Sequence, residues 1–152
     1  MENGTMGRVL TEATIYNLHD LDESRLGKLP SDQVRKIVVS DALVDTGATM
    51  LSMPKSLIDR LGLIKRFEKR AITAGGERTL NVYGTVRLEI MGRDMPTDVL
   101  EVPESNPVLI GQIPLEAMDW VIDMRAHKLI GNPAHGGEHI LEVFSISMAW
   151  MV

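Results

Sequence analysis

The chain has no cysteine among its 152 residues. That absence removes disulfides, thiolate nucleophiles and Cys-ligated zinc together. No run of residues has the length and apolarity of a membrane-spanning segment, and residues 1–8 lack the apolar core of a signal peptide. The resulting expectation is a cytoplasmic protein with no membrane partner. Basic residues are outnumbered: 16 Lys and Arg against 21 Asp and Glu leave a net charge of −5. Without a positive stripe, the general attraction that drives nucleic-acid binding is missing. The densest basic patch, Lys65, Arg66, Lys69 and Arg70, is interrupted by Glu68 and reads as a solvated strand or turn face. No internal repeat is present.

What is there suits a soluble domain. Hydrophobic content of 44% and charged content of 24% are ordinary for a globular chain, and the length allows one domain with a real core. Residues 11–18 are strand-like, and residues 19–32 form a polar stretch that reads as a loop. Residues 34–44 are again strand-like and lead straight into Asp45. Pro54 opens a short helix in which Leu57, Ile58 and Leu61 share a face, with Gly62 at its stop position. The clearest periodicity follows. Leu80, Val82, Gly84, Val86, Leu88 and Ile90 alternate with polar neighbours, which predicts a strand with one dry face. Gly75-Gly76 supplies a turn joining residues 67–74 to residues 77–91 as a hairpin. Gly92 marks the next turn and residues 97–102 a further strand. The short run Val108-Leu109-Ile110 ends at Gly111, Pro114 begins a short helix to Asp119, and residues 120–124 and 128–130 suggest a last hairpin.

The stretch Leu43-Val44-Asp45-Thr46-Gly47-Ala48-Thr49 places one carboxylate on a small-residue turn at the end of an apolar strand. It occurs once. As a bare tripeptide, Asp-Thr-Gly is also an ordinary turn. Read as chemistry, Asp45 is an acid/base group: one carboxylate takes a proton from water while a partner gives one to a carbonyl oxygen. Two such carboxylates sit about 3 Å apart and share one proton. With a single copy here, the second carboxylate has to come from another subunit. Thr46 has a hydroxyl able to reach across such an interface, and Gly47 lets backbone approach closely. Ala48 adds no donor to the carboxylate, so the pair is expected to be less acid-shifted than with a serine there.

On Ala42-Leu43-Val44-Asp45-Thr46-Gly47-Ala48, and on Val108-Leu109-Ile110-Gly111 followed by the short Pro114 helix, the chain resembles the retropepsin-like aspartic proteases in their bacterial form. The resemblance covers residues 34–130. It implies an all-β fold, a mostly antiparallel closed β-barrel with one or two short helices. It further implies a homodimer whose two Asp45 carboxylates activate a water to hydrolyse an extended peptide, with no cofactor. Residues 1–33 are then an N-terminal arm, strand and loop, residues 34–131 the protease domain, and residues 132–152 a C-terminal extension. By the same resemblance Asp45, Thr46 and Gly47 are catalytic. Ala48, Thr49, Ile110, Gly111 and Gln112 contact substrate, and Thr73, Ala74, Gly75 and Gly76 form the tip of a closing flap. Gly75-Gly76 as a plain hairpin turn stands beside the flap reading. Viral members pair an acidic residue with an arginine at the positions of Thr49 and Gln112, so here both charges are replaced together. A second reading of the whole is a catalytically silent peptide-binding or scaffolding dimer.

The remaining candidates are weaker. His135 and His139 have helical metal-ligand spacing, but Gly136-Gly137 between them argues against a helix. His19 and His127 are expected at the surface, and Trp120 and Trp150 in packing. Residues 140–152 return to an apolar, strand-capable sequence, which fits a dimer-interface strand or an intramolecular edge strand equally well.

Overall fold

The computed structural model describes residues 8–145. Expectations placed on residues 1–7 and 146–152, Trp150 among them, lie outside these. Nine strands dominate, in the order β1 (Val9–Asn17), β2 (Lys36–Val44), β3 (Leu51–Pro54), β4 (Ile64–Thr73), β5 (Gly76–Ile90), β6 (Arg93–Val102), β7 (Leu109–Ile110), β8 (Trp120–Asp123) and β9 (Lys128–Gly131). The helices are α1 (Leu18–Arg25), α2 (Lys55–Arg60) and α3 (Gln112–Ala117). The protein is therefore all-β with short helices.

Seven strands form one sheet in the order β1-β2-β7-β3-β6-β5-β4, and β1 also pairs with β5. That extra pairing closes a ring of six strands and leaves β4 outside it as an edge. The segment expected as an arm thus contributes β1, a ring strand hydrogen-bonded on both sides. Alternation explains the ring's dry interior: Val86, Leu88 and Ile90 of β5 are fully buried, as are Ile15, Leu51, Met53 and Ile110. A register shift between Tyr83 and Val86 in the β5–β6 ladder breaks the alternation expected from Leu80 onward, so that Tyr83, expected on the polar face, joins the core while Val82, paired with Leu100, is buried outside it. In β2 the buried positions change parity, from Ile37 to Ala42 and Val44. The cause is an irregularity in the β1–β2 ladder, where Ala13 pairs with Val39 but Thr11 pairs with Ala42. One extra residue in β2 resets which face is inward.

The structure has one more helix than expected. Residues 19–32, expected as loop, contain most of α1. Polar contacts hold this helix in place of an apolar stripe. The Asn17 side chain accepts from Asp20 N–H at 3.0 Å, and Asp20 takes the Arg35 guanidinium through bonds of 2.7 and 3.0 Å. Those bonds to Arg35 hold the Asp20 carboxyl below its ordinary range.

Residues 140–145, expected to begin a strand, pair with none. Their anchors are side chains. Ile140 N–H donates to Asp119 Oδ2 at 3.2 Å, and His135 stands between two carboxylates, 2.6 Å from Asp119 and 2.7 Å from Glu142. Arg93 adds bonds to the carbonyls of Asp119 (2.8 Å) and Gly137 (2.6 Å) while lying 4.0 Å over the Trp120 ring. The latch titrates. Bonding to Glu142, then to Asp119, raises the His135 pKa above 6.5, and bonding to His135 lowers Asp119 to about 2. The His135 contribution is complete below its unfolded pKa and is lost as pH rises through the raised value. The Asp119 contribution is present above its ordinary 3.8 and is lost as pH falls toward about 2. The segment is therefore held most firmly between about pH 4 and 6.5. NMR titration of His135 is expected to give a midpoint above 6.5 that moves down in Asp119→Asn; a midpoint unmoved by that substitution would contradict the latch.

Candidate active site

The turn carrying Asp45 is built by three strands. β2 delivers the chain to it, β3 takes the chain away, and β7 runs between them, parallel to β2 and antiparallel to β3. Backbone bonds tie both legs of the turn to the segment around β7. Asp45 N–H donates to Ile110 carbonyl O at 3.0 Å and Gly111 N–H to Met50 O at 3.1 Å. Gln112 N–H donates to Ala48 O at 2.9 Å and Ile113 N–H to Thr49 O at 3.0 Å. The carbonyls of Ala48, Thr49 and Met50 are all occupied in this way, and the result is a fixed platform. Within it, Gly47 N–H donates to Asp45 Oδ1 at 2.9 Å and orients the carboxylate.

Gly111 is required by contact. A Cβ there would lie 2.6 Å from Thr49 C, 2.7 Å from Ala48 O and 2.7 Å from Met50 N, all backbone atoms of the turn. Nothing flexible can give way.

Next to the turn lies a cleft of about 350 Å³. Gly47, Ala48, Thr49, Met50 and Ser52 form one side, and residues 69–73 of β4 with Leu80 of β5 form the other. Leu100 and Val102 of β6 and Ile113 of α3 complete it. The β4–β5 hairpin therefore stands beside the Asp45 turn as a wall.

The residues expected from sequence separate into three groups. Gly47, Ala48, Thr49 and Thr73 line the cleft. Asp45 is half-buried next to it, and Thr46 is exposed with no hydroxyl hydrogen bond among the described residues. Ile110 and Gly111 are buried behind the turn and brace it, while Gln112 contributes its backbone N–H. Ala74, Gly75 and Gly76 sit at the exposed hairpin tip, outside the cleft lining, where the Thr73 hydroxyl donates to Gly76 O and accepts from Gly75 N–H. Ile110, Gly111 and the three tip residues thus have no share in the cleft of a single chain, since bracing consumes the first two and the hairpin carries the others past it. The sequence reading missed Met50, Ser52, Lys69, Arg70, Ala71, Ile72, Leu80, Leu100, Val102 and Ile113. Counting register back from the Gly75-Gly76 turn finds Lys69 opposite Leu80, so that part of the wall was recoverable.

His135 and His139 hold tail contacts in place of a metal: His135 is bonded by Asp119 and Glu142, and His139 Nε2 lies 3.2 Å from Ala117 O. His19 and His127 are exposed, as expected.

A family model described as aspartyl protease matches residues 33–112. The chain belongs to the aspartyl protease family, within the retropepsin-like clan. The matched stretch runs from the approach to β2 through the Asp45 turn and β7 to Gln112, which is the platform and cleft just described. No curated protein matches the chain.

Gly111→Ala is expected to destabilise the family member by about 1–3 kcal/mol through overpacking against the turn backbone. Urea unfolding measures it; a loss below about 0.5 kcal/mol, the scale of an unremarkable surface change, would show that the turn yields.

Proposed function

We propose that the protein is a homodimeric aspartic endopeptidase whose two Asp45 carboxylates, one per subunit, hold and activate the attacking water. The observation that carries the reading is the Asp45 carboxylate on a turn braced by Ile110 and Gly111, next to a cleft walled by a hairpin. One carboxylate of the pair is ionised and takes a proton from the water as its oxygen attacks the peptide carbonyl carbon. The other is protonated and gives its proton to the carbonyl oxygen. Collapse of the resulting diol breaks the C–N bond: one diol hydroxyl returns its proton to the carboxylate that had given one, the C=O bond re-forms, and the proton taken from water passes to the leaving nitrogen. The carboxylates end with one proton between them, as they began.

Family membership supports the hydrolytic chemistry. The dimer is supported by the chemistry's need for a second carboxylate and by what surrounds the first: Thr46 is exposed, Ile113 is 52% exposed and Ile72 92% exposed. In a dimer, Thr46 would reach the other turn, and the hairpin tips, Thr73 to Gly76, would fold over the substrate and exclude water. Thr49 and Gln112 are neutral, so the turns would be held in register by hydrogen bonds in place of an ion pair.

Asp45→Asn is expected to lower kcat/KM on a peptide substrate by at least ~10³-fold. The wild-type rate should trace a bell against pH whose two limbs belong to the pair, and specific activity should fall on dilution as dimers separate. Turnover that survives in Asp45→Asn would end the proposal.

A further inference from the structure

The hairpin that walls the cleft sorts its charges by face. Register sets Phe67 opposite Val82, Lys69 opposite Leu80 and Ala71 opposite Arg78, and Val82 is in turn opposite Leu100 of β6. Directly paired residues share a face, so Lys69 and Arg78 stand on the side of Leu80 and Leu100. The other face carries Glu68 opposite Asn81, Arg70 opposite Thr79 and Ile72 opposite Glu77. A shift in register between Lys65 and Phe67 puts Lys65 opposite Tyr83, on that same outer face.

Both carboxylates between residues 64 and 82 are therefore on the outer face, and both are matched there. Lys65 Nζ donates to Glu68 at 2.9 Å and Arg70 Nε to Glu77 at 2.7 Å. The register face that bears Leu80 and Leu100 carries two cations, Lys69 in the cleft lining and Arg78 beyond it toward the hairpin tip, and no carboxylate; Arg70 also borders the cleft, but its guanidinium is taken by Glu77. Neither Lys69 nor Arg78 makes an ion pair among the described residues; Arg78 donates only to the Glu77 carbonyl. Lys69 lines the cleft itself, next to the apolar surface of Leu80, Leu100 and Val102. At about 350 Å³ the cleft is near the small end of ligand pockets, roughly 300–1,000 Å³, and suits side chains of an extended peptide.

We propose that the cleft selects peptides that seat one bulky aliphatic or aromatic side chain on Leu80, Leu100 and Val102 and set an aspartate or glutamate, within two residues of it, against Lys69 and Arg78. This rests on the endopeptidase reading and adds a substrate class to it. A cation left unmatched on the cleft side, when Lys65 and Arg70 are matched, is complementary to a carboxylate brought by the ligand. Covering by the peptide would strengthen the contact by removing water.

The test is a panel of decapeptides with a central Phe-Leu pair, in which each other position is in turn Glu or Gln. Cleavage is measured for wild type, Lys69→Glu, Arg78→Glu and Lys65→Glu, and binding to Asp45→Asn, alone and with each charge reversal, by fluorescence anisotropy. At one position the Glu peptide is expected to exceed its Gln twin in kcat/KM by at least ~5-fold. That ratio should collapse in Lys69→Glu and in Arg78→Glu and persist in Lys65→Glu, which makes the same charge change on the outer face. Cleavage with no Glu preference at any position overturns the proposal and leaves the endopeptidase reading standing. Equal loss of preference in Lys65→Glu also overturns it, because net charge then accounts for the effect. Glu-selective binding without cleavage removes the endopeptidase reading while supporting the cleft chemistry, and absence of both binding and cleavage removes both.

Discussion

The two-residue strand β7 is the constraint on which the rest of the site depends. It lies between β2 and β3, and the segment around it accepts from Asp45 N–H and donates to the carbonyls of Ala48, Thr49 and Met50. A loop that would otherwise be mobile becomes part of the sheet. The bracing also explains why Gly111 sits where it does: its α-carbon is pressed against turn backbone, so strand and turn approach more closely than any side chain allows. The placing of the Asp45 carboxylate is then a property of the ring as a whole, and its own sequence neighbours set only the last detail, the Gly47 bond.

The ring itself is closed by β1 pairing with β5, and what hangs from it falls into two appendages. The β4–β5 hairpin continues the ring's longest strand outward and makes the wall of the cleft. The segment after β9 folds back on α3 and β8, where His135 and Arg93 hold it by charge and hydrogen bonds. The first appendage places residues beside Asp45, and the second contributes no described residue to the cleft lining. Among the described residues the cleft and the tail anchor thus occupy separate parts of the surface.

Much of this was legible from residue patterns because its cause is local. Alternation in residues 86–90 comes from a half-buried strand, Gly75-Gly76 from a turn, and Pro54 and Gly62 from the ends of α2; the register shift that turns Tyr83 into the core left no mark in the pattern. The Asp45 turn was legible because an acid on a small-residue turn after an apolar strand is an uncommon combination. The rest failed for physical reasons that can be named. α1 has no apolar stripe and is held by Asn17, Asp20 and Arg35, so periodicity had nothing to detect. Residues 140–145 have strand-forming side chains, yet within the chain they join no strand: Asp119 takes the Ile140 N–H and His135 the Glu142 carboxylate. The wall of the cleft required knowing that β4 and β5 lie against the turn, a long-range fact that no window of sequence contains. Lys65, Arg66, Lys69 and Arg70 read as one basic patch until register divided Lys65 and Arg70 from Lys69.

β4 ends the sheet, and among the described residues no strand lies beside its outward edge of ten residues. Such an edge is a template on which another copy could lay down a strand, the more so with Ile64, Phe67 and Ile72 exposed along it. Charged side chains interrupt that template at nearly every other position, and two chains approaching edge to edge would bring like charges together. The charges along β4 thereby have a second consequence, which is to oppose polymerisation of concentrated protein along this edge.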